Sequence, residues 1–252
     1  MKQILCITNQ KGGVGKTTTS VHIAVGLAKK GERTLLIDLD PQGNSSSIFV
    51  SKETDSEKTI YPVFRDKIAP IQNLISETRI ENLKIIPSNI KLSEVDSILS
   101  GKLDGFFMLR DSMEMIKEDF DYVVIDCPPS LSMLTLNALV AGTGIIIPLQ
   151  VSKFSIDGIE GILDIYETVT KRYNPNLKIF GALLSMFNPR TSISQAVVPQ
   201  IQQYLKLFRT TLPVSVAVEE SHLMQKTLFE YQKKNKVALA YEGLVEDILE
   251  IG

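Results

Sequence analysis

A glycine-rich segment near the start of the chain limits the possible folds more than any other feature. The segment NQKGGVGKTTT at 9–19 directly follows the apolar stretch ILCIT at 4–8 and leads into an amphipathic stretch that begins at Lys16. A turn of this kind between a strand and a helix directs consecutive backbone N–H groups and the helix N-terminus at one place, where they bind phosphate. The generic GxxxxGK[ST] motif fails only at Gln10, which stands where its first glycine belongs. We therefore predict a phosphate-binding loop in an α/β fold, rather than a glycine turn with an incidental lysine.

The residue types in this loop assign a role to each part of it. Glycines allow a tight turn, the Lys16 side chain is placed to reach the β- and γ-phosphates of ATP, and the Thr17 hydroxyl is placed to ligate Mg²⁺. Phosphate contacts are predicted for the whole stretch, namely Gly12, Gly13, Val14, Gly15, Lys16, Thr17 and Thr18. The expected cofactors are ATP and Mg²⁺.

Two acidic segments each follow an apolar stretch. TLLIDLDPQGN at 34–44 carries Asp38 and Asp40, and YVVIDCPPS at 122–130 carries Asp126. Ligands of open α/β sheets bind at the carboxyl ends of the strands, although a carboxylate at such a position is often only a turn or cap residue. Beside a phosphate loop, we predict that Asp126 and Asp38 hold the metal through its water shell. Asp40 is predicted to orient the attacking water.

Apolar stretches alternate with amphipathic ones along most of the chain. The predicted strands are 4–8, 34–38, 83–87, 122–126, 144–149 and 178–187, and the predicted helices are 16–30, 103–118, 132–141, 156–172, 194–206 and 237–249. Continuous apolar strands separated by helices are typical of a mostly parallel sheet covered on both faces. We predict a doubly wound α/β sheet and, because no Pro/Gly/Ser-rich linker divides the chain, a single domain over 1–252. Residues 50–82 are charged and weakly periodic, which indicates a helix with variable loops.

Cysteines and histidines give no sign of a disulfide scaffold or a metal site. Cys6 and Cys127 stand among aliphatic residues, and neither belongs to a CxxC pair. His22 and His222 have no partner at metal-ligand spacing, so we interpret both as structural or surface residues. With no secretory signal and no apolar stretch long enough to cross a bilayer, we expect a cytoplasmic protein.

Charge is distributed unevenly along the chain. The formal net charge is −2, but residues 171–236 hold ten Lys and Arg against three acids, so this segment is +7 and the remainder is −9. Such asymmetry is typical of a surface that faces a polyanion such as nucleic acid. Ordinary solvated helix faces would explain it equally well.

Lys11 adds a second lysine at the start of the loop, and KGGVGKT resembles the deviant Walker A signature of partition ATPases and MinD. Together, QKGGVGKTTT, LLIDLDPQGN and VVIDCPPSLSMLTLNAL resemble the ParA/Soj partition ATPases, most strongly at 1–47 and 120–152. The resemblance implies a P-loop sheet and a homodimer that forms on ATP binding. It implies nonspecific binding of double-stranded DNA by that dimer, association with the nucleoid, and hydrolysis stimulated by a ParB-like partner.

The same resemblance implies roles for three further residues. Lys11 would cross the dimer interface to the partner's phosphates, as an arginine finger does, instead of being a solvated surface lysine. FNPR at 187–190 and LP at 212–213 correspond to segments that enclose the adenine, which points to Asn188 and Pro213.

One segment departs from the family pattern. Members carry an arginine-bearing stretch resembling PRNVRLSEAPSHG, whereas 212–225 reads LPVSVAVEESHLMQ and includes Glu219 and Glu220. DNA contacts are therefore either absent or moved to other basic residues. The candidates are Arg190, Lys206, Arg209, Lys233, Lys234 and Lys236.

Two other functions share the same core. A MinD-like membrane ATPase would need a basic amphipathic C-terminal helix, but 237–252 contains four acids and no Lys or Arg, so we expect no stable membrane anchor. An ATPase that positions a protein cargo on the nucleoid would look identical in its core. Chromosome or plasmid partition is the leading hypothesis.

Overall fold

A seven-stranded sheet forms the centre of the molecule. A computed structural model describes residues 1–50, 56–65, 70–153 and 155–251. The strands are β1 Gln3–Ile7, β2 Thr34–Asp38, β3 Ser76–Glu77, β4 Leu83–Ile86, β5 Tyr122–Asp126, β6 Gly144–Gln150 and β7 Lys178–Ser185. Their order across the sheet is β3-β4-β2-β5-β1-β6-β7. Every neighbouring pair is parallel except β3 and β4, so the predicted mostly parallel sheet is confirmed.

Helices connect the strands and cover both faces of the sheet. They are α1 Lys16–Lys29, α2 Ser46–Phe49, α3 Tyr61–Arg65, α4 Val95–Leu99, α5 Met108–Met113, α6 Met133–Ala141, α7 Ser155–Arg172, α8 Ser192–Tyr204, α9 Val216–Leu223, α10 Leu228–Tyr231 and α11 Lys236–Ile251. Within the described ranges, none is long and apolar enough to cross a membrane.

The core lies in two layers, one on each face of the sheet. Alternate residues of a strand point to opposite faces, so in β1 Cys6 packs into one apolar cluster while Leu5 and Ile7 pack into the other. Helices α6 and α7 cover the first cluster, and α1 and α11 cover the second. The sheet is therefore doubly wound, as the sequence predicts. Cys6 and Cys127 are both buried and free, and the described residues include no cluster of His, Cys, Asp and Glu that could hold a metal by itself.

The predicted helix at 103–118 is wrong in its extent. Only Met108–Met113 is α-helical, and a short 3₁₀ turn follows it at Glu114–Ile116. The reason is a side chain from α6: Asn137 accepts a hydrogen bond from the Leu109 backbone N–H and donates one to the Gly105 carbonyl. These bonds satisfy backbone groups at the start of α5, so the helix need not extend toward the N-terminus.

Other segments also differ from the expectations, among them the short elements α2, β3, α4 and α10, which were not predicted. Helix α9 at Val216–Leu223 was not predicted, and β7 ends at Ser185 rather than at 187 because Met186 adopts a left-handed conformation with φ 48°. In the weakly periodic segment, the structure describes short turns and the five-residue helix α3. Residues 51–55 and 66–69 of that segment lie outside the described part of the chain.

Candidate functional site

The glycine-rich loop connects the end of β1 to the first residue of α1, as predicted. Gly13 has φ 73° and Gly15 has φ 86°, a conformation that L side chains rarely adopt, so glycine is required at both positions. Nothing lies within 4 Å of a Cβ built on Gly12, Gly13 or Gly15. The inner side of the loop is therefore open, and its backbone can approach a phosphate group closely.

Side chains outside the motif hold this loop in place. Asn9 donates from Nδ2 to the Pro148 carbonyl at 2.8 Å and accepts at Oδ1 from the Lys11 N–H at 2.9 Å. Ser185, at the end of β7, donates to the Val14 carbonyl at 2.8 Å. Val14 itself is fully buried, so it anchors the loop from behind instead of facing the cavity. Sequence analysis did not single out Asn9 or Ser185.

The two lysines of the loop have different surroundings. Lys16 is 7% exposed, and its Nζ donates to the Lys11 carbonyl at 3.0 Å. Burial lowers the pKa of the Lys16 ammonium, while the negative charges of Asp126 and Asp40 oppose that change. Lys11 is exposed, and its Nζ donates to the Ser152 hydroxyl at 3.1 Å. Lys16 therefore faces the acidic groups, whereas the Lys11 side chain lies on the surface.

Asp38 and Asp126 end neighbouring strands and are both fully buried. Asp38 accepts from the Ser46 N–H at 2.8 Å and from the Ser46 hydroxyl at 2.7 Å. Asp126 accepts from the hydroxyls of Ser45 at 2.5 Å and Ser20 at 3.0 Å. Burial raises the pKa of both carboxyls, and for Asp38 the charge of Asp126 adds to that effect. The pair therefore favours a positive partner.

The Thr17 side chain lies close enough to Asp126 to lower the pKa of that carboxyl and so oppose the effect of burial, which places these two predicted metal residues together. Hydroxyl and carboxylate oxygens are the ligands that Mg²⁺ prefers, and Mg²⁺ is commonly held by one or two carboxylates together with nucleotide phosphates. The donor set of Thr17, Asp38 and Asp126 fits such an ion.

Asp40 lies at the edge of the same cavity. It is 8% exposed, its Oδ1 accepts from the Gln42 N–H at 3.0 Å, and its backbone N–H donates to Asp38 at 3.0 Å. The Ser88 hydroxyl forms a short hydrogen bond with its carbonyl. These contacts fix the backbone of Asp40 and leave Oδ2 without a hydrogen bond to the described residues.

A cavity of about 880 Å³ begins at the loop and extends toward α9. Its phosphate end is lined by Gly12, Gly13, Gly15, Lys16, Thr17, Thr18 and Asp40, and its other walls include Asn44, Ser47, Ile48, Pro213, Val218, His222 and Tyr241. Most of the predicted binding residues therefore meet around one space. His222 Nε2 is buried on this wall and has no hydrogen-bond partner among the described residues.

Among the predicted nucleotide-binding residues, Asn188, like the buried Val14, does not line the cavity. It is exposed, and its Oδ1 accepts from the Arg190 N–H at 3.0 Å. Its carbonyl accepts from the Thr191 hydroxyl at 3.1 Å. The Asn-Pro pair thus forms its own turn before α8, in the way asparagine commonly does, whereas Pro213 does line the cavity.

The serines that hold the two carboxylates were missed by sequence analysis. Ser45 and Ser46 follow DPQGN in a serine run at 45–47, and Ser20 lies one turn after the loop, on α1. The run of small hydroxyl residues directly after the acidic segment was the available signal. The role of this serine run could not be inferred from sequence, because it depends on a turn that brings 45–46 back beneath the ends of β2 and β5.

Among the basic residues considered for DNA binding, Arg190 and Lys206 are exposed single positions, and the other four fall into two groups. Arg209 is not available, because it binds Asp247 at 2.6 Å and Glu250 at 2.6 Å on α11. Lys233, Lys234 and Lys236 are exposed near the start of α11, and within the described part of the chain they form no ion pair. Only this second group presents uncompensated charge close together in sequence.

Comparison with known proteins agrees with this site. A family model described as AAA domain matches residues 2–179. The chain is 36% identical over 250 residues to the sporulation initiation inhibitor protein Soj of Bacillus subtilis, covering 98% of each protein. It is 37% identical over 249 residues to the chromosome partitioning protein ParA of Myxococcus xanthus, covering 98% of this chain and 88% of that one.

A solved structure extends the comparison to bound ligands. The cobyrinic acid a,c-diamide synthase of Mycobacterium smegmatis, solved with an ATP analogue and magnesium, superimposes with a TM-score of 0.85 at 30% identity, covering 99% of this chain and 95% of that one. The family model covers well over half of this chain, and the two partition relatives match nearly all of it. The chain therefore belongs to the ParA/Soj family of P-loop ATPases.

Proposed function

We propose that this chromosome-partitioning ATPase of the ParA/Soj type is a switch in which ATP joins two copies of the chain. The observation that carries the proposal is that Lys16 and Asp40 line one cavity at the carboxyl ends of the strands, with the charge of the buried Asp126 close to Lys16. Phosphoryl transfer requires a cation that binds the phosphates, a carboxylate that orients the attacking water and a carboxylate that holds a metal ion. Residues 1–252 would act as a single ATPase domain, because both apolar clusters pack on one sheet.

ATP would lie with its phosphates in the loop and its base toward α9. The backbone N–H groups of 12–18 and the Lys16 ammonium bind the β- and γ-phosphates. Pro213 encloses the adenine; we leave Asn188 out of this role, because its side chain is engaged in its own turn.

Mg²⁺ would be held by the Thr17 hydroxyl and, directly or through water, by Asp126 and Asp38. When bound, the ion neutralises charge on the β- and γ-phosphate oxygens. Asp40 then orients the attacking water toward the γ-phosphate, and its fixed backbone makes that geometry reproducible.

The dimer would form through the face that carries the phosphate loop. Lys11 lies in that loop with an exposed side chain, so it can reach the phosphates of the partner subunit. The charge it supplies in trans makes hydrolysis depend on dimerisation. The sequence relationship to Soj and ParA supports this arrangement.

The ATP dimer would bind double-stranded DNA without sequence preference and so associate with the nucleoid in the cytoplasm. Lys233, Lys234 and Lys236 supply the basic surface, and dimerisation doubles it. A ParB-like partner would stimulate hydrolysis and release the dimer.

Membrane binding is less well supported. The apolar face of α11 is already buried against α1 and the sheet through Tyr241, Leu244, Val245 and Ile248. Such a helix cannot place the same face in a lipid surface. Positioning of a protein cargo stays as a second candidate, favoured by α9, which carries Glu219 and Glu220 instead of arginines.

The test is binding of random-sequence duplex DNA as a function of salt, with ATP and with ADP. We expect tight, salt-sensitive binding with ATP and weak binding with ADP. Equal weak binding in both states would remove DNA from the function and favour cargo positioning. Adding a ParB-like protein to the ATP state should raise the rate of phosphate release.

A further inference from the structure

Arg79 lies in the turn between β3 and β4 and contacts three separate segments. Its Nε and Nη2 donate to the two carboxylate oxygens of Glu230 at 2.7 and 2.9 Å. Its Nη2 also donates to the Gln225 carbonyl at 3.0 Å, and its Nη1 donates to the Ile48 carbonyl at 2.6 Å. The guanidinium further lies 5.4 Å from the centre of the Phe49 ring. One side chain therefore joins segments that are far apart in sequence.

Two of these segments contribute residues, or follow a helix that contributes residues, to the wall of the nucleotide cavity. Ile48 belongs to α2, which lines one part of the cavity and begins at the serines that hold Asp38 and Asp126. Gln225 lies two residues after the end of α9, whose residues Val218 and His222 line another part of the cavity. Arg79 does not line the cavity itself. It connects the two segments from outside.

The third segment leads back to the phosphate loop. Glu230 also accepts from the Thr227 N–H at 2.9 Å and from its hydroxyl at 3.0 Å, which caps α10. The next N–H, of Leu228, donates to His22 Nε2 at 2.9 Å. His22 Nδ1 then donates to the Thr18 carbonyl at 2.7 Å, so this tautomer carries its proton on Nδ1. Thr18 is part of the helix that starts at the phosphate loop.

We propose that Arg79 is a positioning residue for nucleotide retention, because it holds α2 and the end of α9 at a fixed separation along the wall of the nucleotide cavity. Loss of this connection lets the two segments separate and the nucleotide leave faster. The planar guanidinium is needed, since it donates in several fixed directions at once, whereas a lysine ammonium binds as a point charge and cannot reach all three acceptors. The inference rests on nucleotide binding in this cavity and is independent of any DNA binding.

The test compares Arg79→Ala and Arg79→Lys with a matched control, Arg33→Ala. Arg33 also donates to both carboxylate oxygens of one aspartate, Asp121, and to a carbonyl, that of Glu118, but it lies away from the cavity. Dissociation of a fluorescent ADP analogue with Mg²⁺ is followed by stopped flow after a chase with unlabelled ADP. Thermal unfolding of each variant reports the purely structural cost.

Both Arg79 variants should release the analogue about five- to tenfold faster than wild type, the range that the net loss of about one hydrogen bond produces. Arg33→Ala should lower the unfolding temperature to a similar extent and change the dissociation rate by less than about twofold. Glu230→Gln, which keeps the shape of the acceptor and removes its charge, should release the analogue faster as well.

Wild-type dissociation rates in Arg79→Ala would overturn the proposal, and so would full rescue by Arg79→Lys. If Arg79→Ala fails to fold, Arg79→Lys and Glu230→Gln decide the question by the same rates. A wild-type protein that does not bind the analogue would instead overturn the proposed nucleotide site, so the two failures are distinguishable.

Discussion

Asp38 and Asp126 are direct neighbours across the parallel strands β2 and β5, in register at the last residue of each strand. Two adjacent serines, Ser45 and Ser46, each donate to one member of the pair. Two buried carboxylates this close repel each other, and the hydroxyls stabilise their charged forms only in part. A bound cation would offset the remaining repulsion. Occupancy of the proposed magnesium site would therefore depend on the position of 45–46 at this point of the sheet.

Replacement of Asp40 should slow ATP hydrolysis and leave nucleotide binding intact. Its carboxylate is proposed to orient water, an interaction that matters mainly in the transition state. Asp40→Ala should therefore lower the hydrolysis rate by about 10²-fold or more, while nucleotide affinity changes little. The variant should accumulate as an ATP-bound dimer, which size-exclusion chromatography would detect. Hydrolysis at the wild-type rate would move the role to another residue, Asp38 first.

Substitution of each loop lysine should affect a different step, nucleotide binding in one case and dimerisation in the other. Lys16 is buried beside the acidic groups, so Lys16→Ala should abolish nucleotide binding. The Lys11 side chain makes one hydrogen bond within the described residues, to Ser152, and is otherwise exposed, so Lys11→Ala should bind ATP normally. It should nevertheless fail to dimerise or hydrolyse ATP. Nucleotide titration and light scattering measure the two effects, and a Lys11→Ala protein that still dimerises with ATP would rule out the role in trans.

His22 should make folding stability depend on pH. Burial lowers the pKa of His22 from 6.5 to about 4, and the His22 ring stacks on Tyr241. Because the pKa is lower in the folded state, the stability contribution is present above pH 6.5 and is lost as pH falls toward about 4. The unfolded chain takes up a proton in this window that the folded state excludes.

Between about pH 7 and about pH 5, wild type should therefore lose about 2 kcal/mol more of its free energy of unfolding than His22→Gln does. Urea unfolding at the two pH values measures this difference. His222, the other histidine, is unchanged in both proteins and cancels from the comparison. Parallel losses in the two proteins would show that His22 does not titrate in this range.

The phosphate loop and the ends of β2 and β5 were predictable because each is encoded within a short stretch of sequence. Ser46 and Arg79 were not, since their partners are set by tertiary turns: Arg79 binds Glu230, which is 151 residues away. From the sequence alone, Arg209 was a candidate for an unpaired positive charge. In the fold it forms ion pairs with Asp247 and Glu250. Local patterns specify the loop, whereas long-range pairing decides which charges stay free.

Packing between α1 and α11 should make Gly26 intolerant of a methyl group. A Cβ on Gly26 would lie 2.5 Å from Val245 Cγ2, and Val245 is fully buried and stiff at χ1. Gly26→Ala gains about 1 kcal/mol of helix propensity, but the overpacking costs about 1–3 kcal/mol. We expect net destabilisation in wild type.

Shortening Val245 should reverse the sign of that effect. In a Val245→Ala background the clash is gone, so Gly26→Ala should stabilise the protein by about the propensity term alone, ~1 kcal/mol. Chemical denaturation of the four proteins in this double-mutant cycle gives the coupling energy. Equal effects of Gly26→Ala in both backgrounds would mean that the helices adjust without strain.

Free and paired basic residues should contribute differently to DNA binding. Lys233, Lys234 and Lys236 are exposed and form no ion pair with the described residues, whereas Arg209 is bound to Asp247 and Glu250. Under ATP, replacing the three lysines by alanine should weaken binding of all duplex sequences alike. The slope of log affinity against log salt should fall by about 0.9 for each DNA phosphate that the variant no longer neutralises.

Arg209→Ala is the matched control for this experiment. It removes one positive charge from the same basic segment, but a charge already neutralised by α11, so the salt slope should stay close to that of wild type. Its effect should appear in stability instead, because Asp247 is 9% exposed in its side chain and, among the described residues, would keep only the Thr210 hydroxyl as a partner. A lowered unfolding temperature with unchanged DNA affinity is the expected result. If Arg209→Ala reduced the slope and the triple variant did not, the DNA surface would lie on the side of the molecule that Arg209 occupies, and the ion pairs with α11 would have to open on binding.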